Sequence, residues 1–303
     1  MIDNCAMPNF PITSPRAPLW SLGFRPFFLA AALLALVSIS LWALVFLGEL
    51  SPFTTFNPLL WHAHEMVYGY TAAVIAGFLL TASQNWTGIK GVNGARLMGL
   101  VVLWTMGRLA MASPFAVLAA VIDLSFFPVL AWVLTPYLRP TDMKAERIFY
   151  LFFALYLIGN FLMHAEVLGI WQGHGLRGAH LGLNASLVMI VFMGGRVIPF
   201  FTESERSKRQ PRTHATVEVL AHLTAWGFLL SQFWDRSGIL SAVVAFAAAF
   251  IHLIRLKGWY VRRVRRVALL GVLYIGYLWL VLGFFLAGLH ALDQIASGPV
   301  THA

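Results

Sequence analysis

Cysteine and charge are both scarce in this sequence. Its single cysteine, Cys5, excludes an internal disulfide and any zinc or iron–sulfur site built from cysteines. Charged residues make up 11% of the chain and hydrophobic residues 59%, whereas a soluble domain averages about 25% charged residues. The composition therefore predicts an integral membrane protein, in which histidine, methionine or carboxylate groups would hold any metal.

Two further signals are missing. The first apolar run is too long for the core of a signal peptide and has no small-residue cleavage site, so we expect a retained helix. The ten-residue alternation typical of a membrane β-barrel is also lacking. Both absences favour a helical protein that stays in the membrane.

Long apolar runs fill most of the chain. A membrane span needs about 20 apolar residues, and nine runs meet that description. They cover residues 27–48, 62–82, 95–112, 115–138, 147–170, 180–201, 215–233, 238–256 and 267–289. The sequence therefore predicts an all-α, polytopic transmembrane helix bundle of nine spans over 27–289, with tails at 1–26 and 290–303.

The positive charges predict the orientation of these spans. The formal net charge is +9, and with the N-terminus in the cytoplasm seventeen Lys and Arg residues fall on the inner side. Only Arg177 and Arg236 fall in outer loops. Because inner loops are enriched in Lys and Arg, we expect a cytoplasmic N-terminal tail and a periplasmic C-terminal tail. The inner charges suit anionic membrane lipids, and nothing here requires nucleic acid.

The most informative motif is Trp61-His62-Ala63-His64-Glu65-Met66, at the start of the second run. Ionisable side chains at membrane depth cost free energy, so they are rare and usually pair or bind something. In a regular helix His62 and Glu65 share a face, but His64 lies about 200° from His62. The two imidazoles therefore cannot bind one ion together, and each is expected to meet partners from other helices.

Other polar residues fall on the same predicted side of the membrane. They are Arg108, Asp123, Asn160, His164, Glu166 and His290. Imidazole is the commonest transition-metal ligand and suits copper, iron and zinc. Convergence of these histidines and acids predicts a metal or haem site, with Arg108 available for a haem propionate.

Architectural interpretations stay open beside that one. An interfacial histidine can simply hydrogen-bond or reach toward water, and Arg108 with Asp123 can be an ion pair without chemistry. In the predicted inner half, the segment Gly194–Pro199 contains Arg196 and lies near His222. Arg196 is either a cation at a plain helix end or a clamp for an anionic group, such as a haem propionate beside His222.

Several motifs resemble the NnrS family of bacterial inner-membrane proteins. In order they are Leu22-Gly-Phe-Arg-Pro-Phe-Phe28, Trp61-His-Ala-His-Glu-Met66, Ile75-Ala-Gly-Phe-Leu-Leu-Thr81, Asn85-Trp-Thr-Gly88, Trp104 with Gly107-Arg108, Asp123-Leu-Ser-Phe-Phe-Pro128, Asn160 with His164, and Gly194-Gly-Arg-Val-Ile-Pro199 with Phe201-Thr202. The family is described as haem- and copper-containing and linked to nitric oxide metabolism, nitrosative stress and denitrification. The resemblance implies a multi-pass bacterial inner-membrane protein with haem and copper as cofactors and nitric oxide as ligand or substrate.

The convergence of polar residues, taken with the resemblance, gives candidate roles. The candidate metal ligands are His62, His64, His164 and His290, and the candidate cofactor-binding set adds His222, Arg108 and Arg196. The acids Glu65, Asp123 and Glu166 would orient ligand imidazoles or relay protons. Whether such a protein turns over nitric oxide or only binds it stays open.

The end of the chain departs from the family pattern. Family members usually continue into further helices, whereas this sequence stops at Thr301-His302-Ala303. We expect a shortened or truncated variant without any ligand from that later part.

Two other classes of function stay open. In an ion-coupled transporter, Glu65, Arg108, Asp123 and Arg196 would line the path, with Gly77, Gly107, Gly194 and Gly195 at interrupted helices or close contacts. No paired broken helices in repeated halves are visible, which disfavours this class. A non-catalytic structural or sensory membrane partner would need no chemistry of its own.

Overall fold

The computed structural model describes residues 11–51, 54–140, 142–203, 214–234, 237–296 and 298. Every regular element within these ranges is helical, and none is a strand. Residues named above that lie outside the described ranges are Cys5, Arg236, Thr301, His302 and Ala303. Four of the seventeen inner-side cations, Arg206, Lys208, Arg209 and Arg212, also lie outside them. The prediction of an all-helical protein is confirmed.

The helices follow the predicted apolar runs. The first run forms α1 (Phe24–Phe46), and the second forms α2 (Pro58–His64), a π-helix (Glu65–Thr71) and α3 (Ala72–Thr87) without a break. The remaining helices are α4 (Gly94–Met111), α5 (Ala116–Leu138), α6 (Ile148–Val167), α7 (Gly175–Glu203), α8 (Ala215–Trp234), α9 (Ile239–Trp259) and α10 (Ala268–Ala291).

Seven helical stretches among the described residues are long and apolar enough to cross a membrane. The two outside that group are α4 and α8. Helix α4 has 18 residues and carries Arg96 and Arg108, while α8 carries Glu218 and His222. A multi-pass helical protein is thus supported, and the number of spans and the side of the N-terminus stay predictions.

The second helical stretch begins at Pro58, earlier than the predicted residue 62. Asn57 caps it, because its side-chain oxygen accepts the Leu60 N–H at 2.9 Å, and Pro58 occupies the first helical position. The Trp61–Met66 motif therefore lies about one turn inside the helix and not at its start.

The π-helix follows His64 directly. Side chains satisfy two of its carbonyl groups: Thr71 Oγ1 donates to the Met66 oxygen at 2.8 Å, and Trp104 Nε1 donates to the Gly69 oxygen at 3.1 Å. Segments of this kind are rare and recur at functional sites. Here the π-helix carries Glu65 at its first position, next to the last residue of α2.

The described residues form two compact units, one within Met1–Gly182 and one within Leu183–Ala303. In the first unit α1 packs on α3, α4 on α5, and α5 on α6. Gly77 makes the first of these contacts close, because a Cβ at that position would lie 2.9 Å from Cβ of Phe27. Such small residues let membrane helices approach without a gap.

Tyr68 of the π-helix is a second fixed point of the first unit. Its side chain is buried, and its hydroxyl donates to the Gly178 oxygen at 2.6 Å. Gly159 and Gly182 leave room for the phenol ring, since a Cβ at either position would overlap with its hydroxyl. Three helical segments therefore meet around Tyr68, close to the end of α2.

In the second unit α9 packs against both α8 and α10. The α9 face is lined with small buried residues, Ser241, Ala242, Ala245, Ala248 and Ala249. On α10, Gly288 admits the ring of Phe246, whose Cε1 atom would lie 2.7 Å from a Cβ there. The unit is thus held by close helix contacts of the kind that membrane helices use.

Candidate metal centre

Two histidines and an aspartate from three helices meet in the first unit. His64 ends α2, Asp123 lies two turns into α5, and His164 lies near the end of α6. One ligand atom from each lies within 4.8 Å of the others, and all three side chains are buried. Nε2 of His64 and Nε2 of His164 each lie 3.1 Å from the same oxygen, Oδ2 of Asp123.

Asn160 completes the ring of polar groups. Asn160 and His164 are one helical turn apart on α6 and so share a face. Nδ2 of Asn160 donates to Oδ2 of Asp123 at 2.6 Å, which turns its oxygen toward Nε2 of His64 at 2.9 Å. Nε2 of His64 therefore faces two acceptor oxygens and the second imidazole.

The other ring nitrogen of His64 also faces an acceptor. Its Nδ1 atom lies 3.2 Å from Oε1 of Glu65. An ionised carboxylate only accepts, and a neutral imidazole carries a single N–H, so it cannot donate on both sides. The geometry around His64 therefore requires one more positive charge, which is a second proton on the ring, a proton on a facing carboxylate, or a metal ion at Nε2.

Arg108 carries the fixed positive charge of the cluster. Its Nη1 atom donates to Oε1 of Glu65 at 3.0 Å, and its Nη2 atom is bonded to Oδ1 of Asp123. With neutral imidazoles, the two carboxylates and this guanidinium leave one uncompensated negative charge. A net charge in a membrane interior is costly, so a single positive charge would balance the site.

Close packing encloses these groups. Gly107 brings α4 against α5, because a Cβ there would lie 3.2 Å from Oδ1 of Asp123. Phe56 is buried and covers both imidazoles, with ring centroids 5.3 Å from His64 and 5.4 Å from His164. The cluster is therefore shielded from bulk water.

Two predicted site residues of the same unit lie outside this cluster. The His62 ring packs on Trp42, with centroids 4.5 Å apart. The Glu166 carboxylate accepts the N–H of Gly175 at 2.5 Å, at the start of α7. The structure thus separates His64 from His62 and gives Glu166 a helix-capping position.

The second unit holds the other predicted residues. His222 is half-buried, and its ring centroid lies 6.2 Å from that of Phe192. The guanidinium of Arg196 is exposed and lies 4.6 Å above the same ring. His290 is half-buried at the end of α10, with Nδ1 3.0 Å from the Ile295 oxygen.

Sequence reasoning missed a buried ionic network in the second unit. Arg255 was counted among the inner-side cations, at the end of the predicted run 238–256, but it lies within α9 and is 2% exposed. Its Nε donates to Oε1 of Glu218 at 3.0 Å, its Nη2 is bonded to Oε2 of Glu218, and its Nη1 donates to the Tyr277 hydroxyl at 2.8 Å. The apolar pattern of α9 did not predict that Arg255 is buried, because a basic side chain near a helix end normally extends to water.

Gly195 makes room for this network, which explains one glycine of the Gly194–Pro199 motif. A Cβ at Gly195 would overlap with Nη2 of Arg255. We expect Gly195→Ala to lower the free energy of unfolding by about 1–3 kcal/mol, as overpacking does. Gly276→Ala on α10 is the control, since a Cβ there meets nothing within 4 Å. Thermal unfolding of both purified variants measures the difference, and equal losses would contradict this role.

A family model described as NnrS protein matches residues 18–303. The chain belongs to the NnrS family. No curated protein and no solved structure matches it. The motifs that carried the resemblance supply His64, Glu65, Arg108, Asp123, Asn160 and His164. Motifs that are far apart in this NnrS chain therefore meet in one buried cluster.

The donor set of the cluster fits a metal ion. Ligand bonds of about 2 Å at tetrahedral angles place two ligand atoms about 3.3 Å apart. The two imidazole nitrogens lie 3.1 Å from the shared Asp123 oxygen, close to that spacing. Imidazole with carboxylate suits copper, iron and zinc.

A haem does not fit between His64 and His164. Axial ligation by both would place the macrocycle between the two imidazoles. That space holds the Asp123 carboxylate and the Asn160 amide, which are in contact with the ring nitrogens. Arg108 is likewise engaged by two carboxylates and not held ready for a propionate.

Proposed function

We propose that this NnrS chain is a copper-binding protein of the bacterial inner membrane that acts in nitric oxide metabolism or nitrosative stress resistance. In this proposal His64, His164 and Asp123 hold the copper ion. The observation that carries it is the surplus of acceptors around His64, which faces a carboxylate at Nδ1 and oxygens at Nε2. A metal ion at Nε2 resolves that conflict with a single proton on the ring.

The charge of the cluster favours a monovalent ion. Glu65, Asp123 and Arg108 leave a net charge of minus one when both imidazoles are neutral. A monovalent copper ion makes the buried site neutral, whereas a divalent ion leaves an excess positive charge at a depth where charge is costly. Imidazole, which supplies two of the three donors, is a ligand that suits copper.

Each neighbouring residue has a defined task in this proposal. Glu65 accepts the Nδ1 proton of His64 and so directs Nε2 toward the ion, as carboxylates commonly do behind ligand imidazoles. Arg108 balances the charge of both acids. Phe56 covers the imidazoles and keeps water away. When bound, copper would supply a one-electron couple and a binding position for nitric oxide.

The substrate class fits a site of this kind. Nitric oxide is small and neutral, so it reaches a buried site through lipid without a polar channel.

The haem implied by the family has candidate contacts in the second unit, where His222 and His290 are half-buried and Arg196 is exposed. This part of the proposal rests on the family alone.

Cofactor analysis of the purified full chain tests the proposal. Cells supplied with copper and haem are expected to yield protein with about one copper ion per site. The copper should be silent in electron paramagnetic resonance after reduction and visible after oxidation. A haem would add a Soret band that shifts when nitric oxide is added. Copper at the background level of a control membrane protein would overturn the copper proposal.

A further inference from the structure

Three arginines gather at the opposite end of α5 from Asp123. Arg96 lies in the first turn of α4, Arg139 follows the last residue of α5, and Arg147 ends the short turn before α6. All three are exposed. Among the described residues, no carboxylate lies within salt-bridge distance of any of them. Their charge is therefore available to an anion from outside the chain.

The backbone holds the side chain of Arg147 in place. Nη2 of Arg147 donates to the Arg139 oxygen at 2.9 Å and to the Pro140 oxygen at 3.4 Å. Those carbonyl groups directly follow the last residue of α5, where helical donors run out. The guanidinium of Arg147 is thus held next to Arg139, in spite of their like charge.

Two neighbouring cavities open beside these arginines. One, of about 570 Å³, is called the polar cavity because its four lining residues, Thr135, Arg139, Arg147 and Tyr150, all carry polar side-chain groups. Its two hydroxyl groups are linked, with Tyr150 donating to Oγ1 of Thr135 at 3.1 Å. The Thr135 hydroxyl in turn donates to the Ala131 oxygen at 2.9 Å, so both hydroxyl hydrogens are used within the protein. The cavity therefore offers two guanidinium groups as donors, which suit a phosphate.

The second cavity is an apolar groove that continues from the first. It measures about 700 Å³ and shares Thr135 and Arg139 with the polar cavity. Its walls include Leu100, Val129 and Trp132, and Arg96 lies along it as well. Gly99 leaves the groove open, since a Cβ there meets nothing within 4 Å.

We infer that this pair of cavities is a binding site for one anionic phospholipid of the bilayer. The phosphate binds to Arg139 and Arg147 in the polar cavity, and an acyl chain lies in the groove along α4 and α5. Charge complementarity selects an anionic headgroup, and the apolar groove selects a lipid over free phosphate. Basic pockets between membrane helices bind lipid headgroups by the same physics. The site is separate from the metal centre and does not depend on it.

Native mass spectrometry of the purified full chain tests this site. The probes are phosphatidylglycerol, zwitterionic phosphatidylethanolamine and inorganic phosphate. One phosphatidylglycerol molecule is expected to stay bound after activation, with phosphatidylethanolamine lost first.

Removing an arginine should weaken phosphatidylglycerol binding about fivefold, so Arg139→Gln with Arg147→Gln should weaken it by more than tenfold. Gly99→Phe should block the groove with little effect on the fold, because it fills open space.

Matched variants and competition decide the outcome. Gly276→Phe is the control for groove filling, since Gly276 is also exposed on a helix with open space around it. Arg266→Gln is the control for charge, as Arg266 is exposed and lies outside both cavities. Equal retention of both lipids, or wild-type retention by Gly99→Phe, would overturn the inference. Displacement of the lipid by millimolar inorganic phosphate would identify a phosphate site instead. If the double arginine variant fails to fold, Gly99→Phe still decides.

Discussion

Replacing His64 with alanine is expected to abolish copper retention, whereas replacing His62 is expected to leave it unchanged. Both histidines lie in α2, two residues apart. Of these two histidines, it is His64 whose Nε2 lies 3.1 Å from an Asp123 oxygen, while the His62 ring packs on Trp42. Loss of a residue that hydrogen-bonds to a metal ligand already lowers metal affinity about 10–100-fold. Loss of the ligand itself should therefore lower the affinity by at least that much.

Copper content and competition with a Cu(I) chelator measure this difference. His164→Ala should behave like His64→Ala, because its Nε2 contacts the same oxygen. Glu65→Gln should give an intermediate loss of about 10–100-fold, since it acts on His64 through Nδ1. If His62→Ala and His64→Ala lose copper to the same extent, the assignment of the site to His64 is wrong.

Removing the Asp123 carboxylate is expected to give the largest loss of stability in the first unit. Asp123 is 4% exposed and contacts His64, Asn160, His164 and Arg108. Asp123→Ala would leave the Arg108 guanidinium without one of its two partners. Breaking a buried ion pair from one side costs about 3–5 kcal/mol, because the remaining charge stays desolvated.

A variant of the same size separates this electrostatic cost from lost packing. Asp123→Asn keeps the side-chain volume and removes the charge that pairs with Arg108, so it should lose most of the stability that Asp123→Ala loses. The unfolding midpoint of metal-free protein in detergent measures each variant, and Asp142→Ala, at an exposed acid, is the control. An Asp123→Asn variant as stable as the wild type would show that the ion pair does not carry the effect.

The contrast between Glu166 and Asp123 shows where sequence reasoning stopped. Both were expected behind the ligand imidazoles, and both are acids on the same predicted side of the membrane. The structure places Asp123 at the centre of the cluster and Glu166 at the N–H of Gly175. The two roles differ because of position along the helices. Asp123 lies two turns inside α5, where Gly107 packs against it, whereas Glu166 lies at the α6–α7 turn.

The sequence by itself determined the membrane-embedded helices, the family and the pool of polar residues from which the site is drawn. Hydropathy is a local property, so the transfer free energy of each span can be read from its own residues. The tertiary structure alone decided which imidazoles meet, that Arg255 is buried, and that arginines of α4 and α5 flank a groove. Those outcomes depend on the rotation and depth of each helix. Close contacts between helices, such as Gly77 with Phe27, set that rotation and depth, so the residues of a single span do not determine them.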